Sequence, residues 1–212
     1  FEAGEWAGTD LETRQRLLFR IADLIDEHSD ELAWLETTNI GAPIAQCRAR
    51  HVPRAAYNFR FFAEYISQIR SDAYTQLESY LSVVTREPVG VAALIGPWNA
   101  PIALTSMKIA AALAFGNSCV VKPSEVSPLT AVRMVELICE AGLPAGVINL
   151  VNGSGAVTGA ALAAHPEVDV LSFTGGTATG RAIMSAAGRN LTPVTLELGG
   201  KSANIIFADA DF

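Results

Sequence analysis

Along the first third of the chain, apolar residues recur three and four positions apart: Leu17, Leu18, Ile21, Leu24, Ile25, Leu32 and Leu35 mark one face of a helix. The pattern predicts a long amphipathic helix that opens at the capping box Thr9-Asp-Leu-Glu12 and runs to about Thr37. A second helical stretch follows Gly41-Ala-Pro43 and carries Tyr57, Phe59, Phe61, Phe62, Tyr65, Ile66 and Ile69. That aromatic density suits core or subunit packing better than a ligand site. From about Leu77 the pattern changes to strands, "LSVVTREP" and, after the break at Pro88, "VGVAALIG". Within the first of these regions Leu77, Leu81 and Val83 alternate as a buried face would.

Beyond that change the chain alternates apolar strands, "SCVVKP", "VINLVN", "VDVLSFTG", "VTLELGG" and "SANIIF", with helical segments near residues 101 to 115, 128 to 141, 155 to 164 and 177 to 188. Strands that are apolar at nearly every position, separated by helices, predict an α/β fold: a parallel sheet with helices on both faces, preceded by an N-terminal helical segment. Crossovers in such a sheet are right-handed, and ligands gather at the C-terminal ends of the strands.

Composition narrows the function classes. The 212 residues are 50% hydrophobic and 17% charged, which fits a folded core without disulfide staples and excludes extended disorder. A net charge of −7 argues against a nucleic-acid partner, because only Arg48, Arg50, His51 and Arg54 form a basic run. Cys47, Cys119 and Cys139 lie far apart without C-x-x-C spacing, so no metal site and no disulfide framework is expected, and a reducing, cytoplasmic setting is the default. No apolar run reaches the roughly 18 to 20 residues of a membrane helix, so no membrane partner is expected either.

The strand ends carry the candidate chemistry. After "VAALIG" come Pro97, Trp98 and Asn99, then Ala100 and Pro101 at the start of a helix. Asn99 can serve there as an N-cap, or donate its amide to a developing oxyanion. After "SCVV" come Lys122 and Glu125, either two surface charges or a pair suited to the hydroxyls of a ribose. In the second reading the carboxylate repels a 2′-phosphate and favours NAD over NADP. After "INLV" the run Gly153-Ser-Gly155-Ala-Val-Thr-Gly159 is one residue longer than the G-x-G-x-x-G fingerprint, so a simple dinucleotide match fails. After "VLSF" the run Thr174-Gly175-Gly176-Thr177-Ala-Thr179-Gly180 opens a helix whose free amides suit a pyrophosphate, or simply packs tightly. Finally, in "VTLELGGKS" the alternation sets Val194, Leu196 and Leu198 on one strand face and Thr195 and Glu197 on the other. Glu197 is therefore a carboxylate at the rim of a Gly-Gly turn, or a solvated strand end.

Together "GPWNAPIALTSMKIAAALAFGNSCVVKPSE", "FTGGTATG" and "LELGGKSANIIF" resemble the NAD(P)-dependent aldehyde dehydrogenase superfamily, in that order and spacing. The resemblance covers nearly the whole chain, most strongly from about Glu87. It implies a Rossmann-like α/β domain over residues 88 to 212, an N-terminal helical part over 1 to 74, and an oligomerisation-type strand region over 75 to 87. It implies hydride transfer from a thiohemiacetal to a nicotinamide and hydrolysis of the thioester to the acid. By position, Asn99 matches the oxyanion-hole asparagine, Glu197 the general base and Lys108 a lysine implicated in proton movement. Lys122 and Glu125 match the ribose-binding pair. Ile95, Pro97, Trp98 and Phe173 belong to the cofactor cleft, Gly155 and Gly159 to the adenine side, Gly175, Gly176 and Thr179 to the pyrophosphate helix, and Leu198 to the nicotinamide.

Two departures follow from the same resemblance. Many relatives have serine where this chain has Gly176. The family's nucleophile is a cysteine in a Gly-Gln-x-Cys-like context some tens of residues beyond the glutamate, where this sequence does not reach; Cys47, Cys119 and Cys139 are read as structural. These 212 residues alone are therefore expected to be inactive, as part of a longer homodimeric or homotetrameric enzyme that acts on a small-molecule aldehyde. The segment "AAYNFRFFAEYI" is similar to members acting on muconic-type semialdehydes, with Arg50 or Arg54 as a partner for a substrate carboxylate or for surface acids. A non-catalytic nucleotide-binding or structural protein on the same scaffold is the alternative.

Overall fold

Asp10, rather than Thr9, opens the first helix: its carboxylate accepts the Thr13 N–H at 2.9 Å, while the Thr9 hydroxyl turns back to the Glu5 carbonyl. The computed structural model describes every residue except Glu2, Ala3, Glu78 and Phe212. The single long helix expected from the spacing is two, α1 (Leu11–Glu27) and α2 (Ser29–Ile40). His28 leaves the helical region (φ −102°, ψ 21°), and Asp30 and Glu31 give α2 its own acidic first turn. The break lets Leu32 and Ala33 join the core formed by Leu18, Ile21 and Ile25. Gly41, at φ 73°, ends α2 in the left-handed conformation that glycine adopts without strain.

The next helical run is continuous but changes pitch. Helix α3 (Ile44–Gln46) passes through a π-helical turn (Cys47–His51) into α4 (Val52–Tyr65), closed by a 3-10 turn (Ile66–Gln68). Phe59 is fully buried, as expected for a core aromatic. Tyr57, Phe61 and Tyr65 are not: they stack along an exposed face with ring centroids 6.2 and 5.7 Å apart.

Strands β1 (Ala73–Leu77) and β2 (Tyr80–Val83) pair only with each other, as an antiparallel ribbon. Leu81 and Val83 are exposed, contrary to the buried face predicted from their alternation, because among the described residues no second layer packs on the ribbon. The side chain of Leu77 lies outside the described residues.

The main sheet contains β3 (Val91–Ile95), β4 (Ser118–Lys122), β5 (Ile148–Leu150), β6 (Val170–Gly175) and β7 (Val194–Leu198), all parallel, in the order β5-β4-β3-β6-β7. Helices α5 (Pro101–Ala114) and α6 (Leu129–Glu140) make the first two crossovers. A π-helical turn (Gly155–Gly159) leads into α7 (Ala160–Ala163), and α8 (Thr177–Ala187) follows β6. Chain direction across the sheet reverses after β5, so right-handed crossovers put α5 and α6 on one face and α7 and α8 on the other.

The strand side chains divide accordingly. Ala92, Leu94, Cys119 and Val121 join the larger core with α1, α4, α5 and α6, while Ala93, Ile95, Leu171 and Phe173 join a smaller one with Ala163 and Ile183. The expected strand "SANIIF" does not form: residues 202 to 207 are exposed and pair with nothing in the sheet, so Ile205, Ile206 and Phe207 lack the partner backbone that holds a strand.

Candidate active site

Strand β3 lies where the order reverses, since the chain leaves it toward β4 and β5 and returns to its other side as β6 and β7. In a parallel sheet this switch point opens a crevice beyond the C-terminal strand ends. Pairing aligns Lys122 with Ile95, Ile95 with Phe173 and Phe173 with Leu196, so these four face the α7 and α8 side in one row. Ser172 is opposite Thr195 and Thr174 is opposite Glu197, both pairs on the α5 side. The candidate residues carried by the strands, Ile95, Lys122, Phe173, Glu197 and Leu198, therefore lie at the C-terminal edge of the sheet, on its two faces.

On the α7 and α8 side, Lys122 is 2% exposed, with the space against its stem left open by Gly159. Its ammonium donates to the Pro123 carbonyl at 2.9 Å and to one Glu125 oxygen at 3.3 Å. The other Glu125 oxygen accepts the Gly155 N–H at 2.9 Å, tying the end of β4 to the loop after β5. The Gly155 N–H, aided by Lys122, holds the Glu125 carboxyl below its ordinary range, so it stays charged. Gly153 serves packing: at φ 148° a Cβ there would fall 2.0 Å from Thr158 Oγ1. The extra residue that spoils the glycine fingerprint coincides with the π-helical turn, capped by the Ser154 hydroxyl on Val157 N–H.

Gly176 is the N-cap of α8 and offers no side-chain acceptor, so the first amides of the helix, Thr179 among its exposed first residues, are free for an anion. Nothing lies within 4 Å of where its Cβ would be. A Cβ on Gly175 would sit 2.4 Å from the Phe173 ring, and one on Gly180 would meet Leu198 at 2.6 Å. These two glycines let Phe173 and Leu198 fold down against the sheet edge. Pro97 is buried, while Trp98 is 62% exposed beside it.

On the α5 side, Lys108 is buried and its ammonium donates to Ser172 Oγ at 2.7 Å. Desolvation lowers its pKa to about 8, against an opposing pull from the Glu197 charge. Glu197 is exposed at the strand end, as its alternation predicts. The Thr174 hydroxyl opposite it is buried without a hydrogen-bond partner among the described residues. Asn99 is exposed and does not cap α5; the N-cap is Ala100, which has no side chain for the purpose. The capping role open to Asn99 on sequence grounds is thus not the one observed.

Ser172 escaped the sequence reading, and Thr174 entered it only as the start of the glycine run, although polar residues at alternate positions of the otherwise apolar "VLSFTG" were the signal. The cysteines divide differently from expectation. Cys119, within β4, has its thiol pushed up to about 12 by burial, and Cys47 is buried, but Cys139 is exposed on α6 rather than part of the core. Arg54 donates to Asn58 Oδ1 at 3.0 Å and lies over the Tyr57 ring, and among the described residues it pairs with no acid.

The whole chain, residues 1 to 212, matches the model of the aldehyde dehydrogenase family. The chain belongs to the aldehyde dehydrogenase family. It is 48% identical over 207 residues to a 5-carboxymethyl-2-hydroxymuconate semialdehyde dehydrogenase of Escherichia coli, covering 98% of this chain and 44% of that protein. It is 46% identical to the NADP/NAD-dependent aldehyde dehydrogenase PuuC of Escherichia coli strain K12, over 99% of this chain and 42% of the other. Among solved structures, PnpE in complex with nicotinamide adenine dinucleotide superposes with a TM-score of 0.91 at 48% identity, covering 97% of this chain and 42% of PnpE. The chain thus spans less than half the length of these aldehyde dehydrogenase relatives. Its fold is the Rossmann-like domain of that family. Among the described residues, no helix is long and apolar enough to cross a membrane.

Proposed function

We propose that this chain supplies the dinucleotide site and three catalytic groups of an enzyme that oxidises an aldehyde to a carboxylic acid with NAD. The observation that carries the reading is the chain Lys122–Glu125–Gly155, a buried ammonium and a charged carboxylate linking two strand ends beside the switch point. Lys122 donates to, and Glu125 accepts from, the hydroxyls of the adenosine ribose. Gly155 and Gly159 border the adenine, and the amides that follow Gly175 and Gly176 hold the pyrophosphate with Thr179. Ile95, Pro97, Trp98, Phe173 and Leu198 line the apolar walls. The open space at Gly176 and the uncapped α8 amides fit such a group. Because Glu125 stays charged, it disfavours a 2′-phosphate, so NAD is bound in preference to NADP. When bound, the dinucleotide supplies the two-electron acceptor.

On the opposite face, the Asn99 amide donates to the oxygen of the substrate carbonyl as negative charge develops there. The Glu197 carboxylate takes a proton from the water that attacks at the acyl stage. Lys108, with a pKa of about 8, exchanges protons beside Glu197 near neutral pH. The nucleophile is a cysteine outside these 212 residues, since Cys119 is inert inside β4 and neither Cys47 nor Cys139 shares the crevice residues' strand ends.

The same reading treats residues 1 to 74 as the helical part of the cofactor domain and 88 to 212 as the α/β domain. Residues 75 to 87 are an assembly strand region, whose exposed Tyr80, Leu81, Val83 and Val84 become covered in a homodimer or homotetramer. A cytoplasmic setting accords with three unpaired cysteines. The substrate is a small aldehyde, with semialdehydes favoured by the likeness to the Escherichia coli relative. The test is the full-length protein with NAD and a panel of aliphatic aldehydes and semialdehydes. NADH formation with some member is expected; binding of NAD without turnover on any would contradict the catalytic reading.

A further inference from the structure

Lys108 leaves the middle of α5 toward a sheet face that is mostly apolar. On that side β3 presents Ala92 and Leu94 to the core and β4 presents Cys119 and Val121, none of which offers an oxygen. The exception is Ser172 of β6, aligned with Leu94 on one side and with Thr195 on the other. Lys108 Nζ donates to Ser172 Oγ at 2.7 Å, and among the described residues this is the one acceptor the buried ammonium has. An ammonium carries three donors, so without this partner a buried charge would be left with no hydrogen bond to the protein.

We propose that Ser172 is a positioning residue for Lys108: its hydroxyl holds the side-chain nitrogen at a fixed place on the sheet face whether or not the proton is on it. A hydroxyl accepts from an ammonium and, once the proton has left, turns to donate to the amine lone pair. Alanine can do neither. A group that gives and takes protons needs a partner that keeps it in place in both states. Strand register fixes where that place is. Ser172 is opposite Thr195 and Thr174 is opposite Glu197, so the bond anchors Lys108 two residues, roughly 7 Å, before the Glu197 position along the strands. Glu197 is also the charge that bears on Lys108. Charged groups on the helices packed around α5 are engaged elsewhere: Arg14 of α1 reaches the Ala114 carbonyl at the far end of α5, Arg60 of α4 pairs with Asp23 and Asp26, and Arg133 of α6 pairs with Glu31. Lys122 of β4 lies on the opposite sheet face. The assignment of Ser172 rests on the proton-exchange role proposed above for Lys108.

Two measurements on the full-length protein test it. In urea unfolding, Ser172→Ala is expected to lower the folding equilibrium constant about tenfold more at pH 6, where Lys108 is charged, than at pH 10, because a hydrogen bond to an ammonium is stronger than one to an amine. In steady-state kinetics with a turned-over aldehyde at saturating NAD, Ser172→Ala is expected to move the limb of the kcat profile near pH 8 to lower pH by about one pH unit, and to lower kcat about 3- to 10-fold. Ser172→Thr keeps the hydroxyl and restores both. In a Lys108→Met background, Ser172→Ala is expected to cost less than about twofold in kcat, because the group it positions is gone. A stability loss independent of pH, an unmoved limb, or equal kcat losses in the two backgrounds would overturn the proposal while leaving the Lys108 role intact. Wild-type kcat and pH profile in Lys108→Met alone would overturn both. Should Ser172→Ala fail to fold, Ser172→Cys, a poor acceptor of similar size, is judged by the same measurements.

Discussion

Lys108 donates to Ser172 Oγ at 2.7 Å from inside the sheet face that also presents Glu197, so a helix and a strand share one polar contact directly behind the crevice. Its ammonium is buried, and desolvation brings its pKa down from 10.5 to about 8.

The sign of the resulting pH dependence is fixed. Between about pH 8 and 10.5 the unfolded chain holds the Lys108 proton and the folded chain does not, so the contribution of this group to stability rises with pH across that window. Below pH 8 the folded protein bears the cost of a buried charge. Lys108→Met is therefore expected to be more stable than the wild type at pH 7, by at most about 3 kcal/mol, with the advantage shrinking toward pH 10. Urea unfolding of both proteins at several pH values measures this; a difference independent of pH would contradict it.

Asn99 separates capping from catalysis. Because Ala100 is the observed N-cap, Asn99→Ala is expected to change folding stability by less than about 0.5 kcal/mol, whereas loss of a true cap costs about 1 kcal/mol. Turnover should fall about 10²- to 10³-fold if the amide serves the oxyanion. Thermal unfolding beside steady-state kinetics gives both numbers, and a destabilised but fully active variant would reverse the assignment.

The paired glycines at the start of α8 are not equivalent. Gly175→Ala puts a methyl 2.4 Å from the Phe173 ring and is expected to destabilise by about 1 to 3 kcal/mol. Gly176→Ser meets nothing and gives α8 a side-chain cap, for a gain of a few tenths of a kcal/mol. Denaturant midpoints of the two variants check the contrast; equal effects would show that the Phe173 contact is not what excludes a side chain.

Much of this site was legible because strand ends announce themselves. Apolar runs separated by helices located β3 to β7, and the candidate residues from Asn99 to Glu197, Lys108 of α5 apart, lie at or just past the C-terminal ends of these five parallel strands. What pattern could not supply was partnership. The alternation of Leu81 and Val83 described a strand correctly but not whether anything covers it, and "SANIIF" has strand composition without a neighbour to pair with. The break at His28 is a backbone event invisible to helical spacing, since apolar positions on both sides keep the same period. The burial of Glu36 on α2 was hidden for a related reason: a glutamate in an amphipathic helix reads as solvent-facing until the elements packed over it are known. The Lys122–Glu125–Gly155 link spans residues 30 positions apart and follows from topology rather than local sequence.

The central claim is that a dinucleotide lies across these strand ends with its ribose on Lys122 and Glu125. Calorimetric titration of the wild type and of Glu125→Ala with NAD and with NADP tests it most directly, because Glu125 is exposed and Lys122 still donates to the Pro123 carbonyl without it. The account predicts tighter binding of NAD than of NADP by the wild type, and about tenfold weaker NAD binding with a narrowed preference in the variant. Unchanged NAD affinity in Glu125→Ala, or equal affinities for both nucleotides in the wild type, would contradict it.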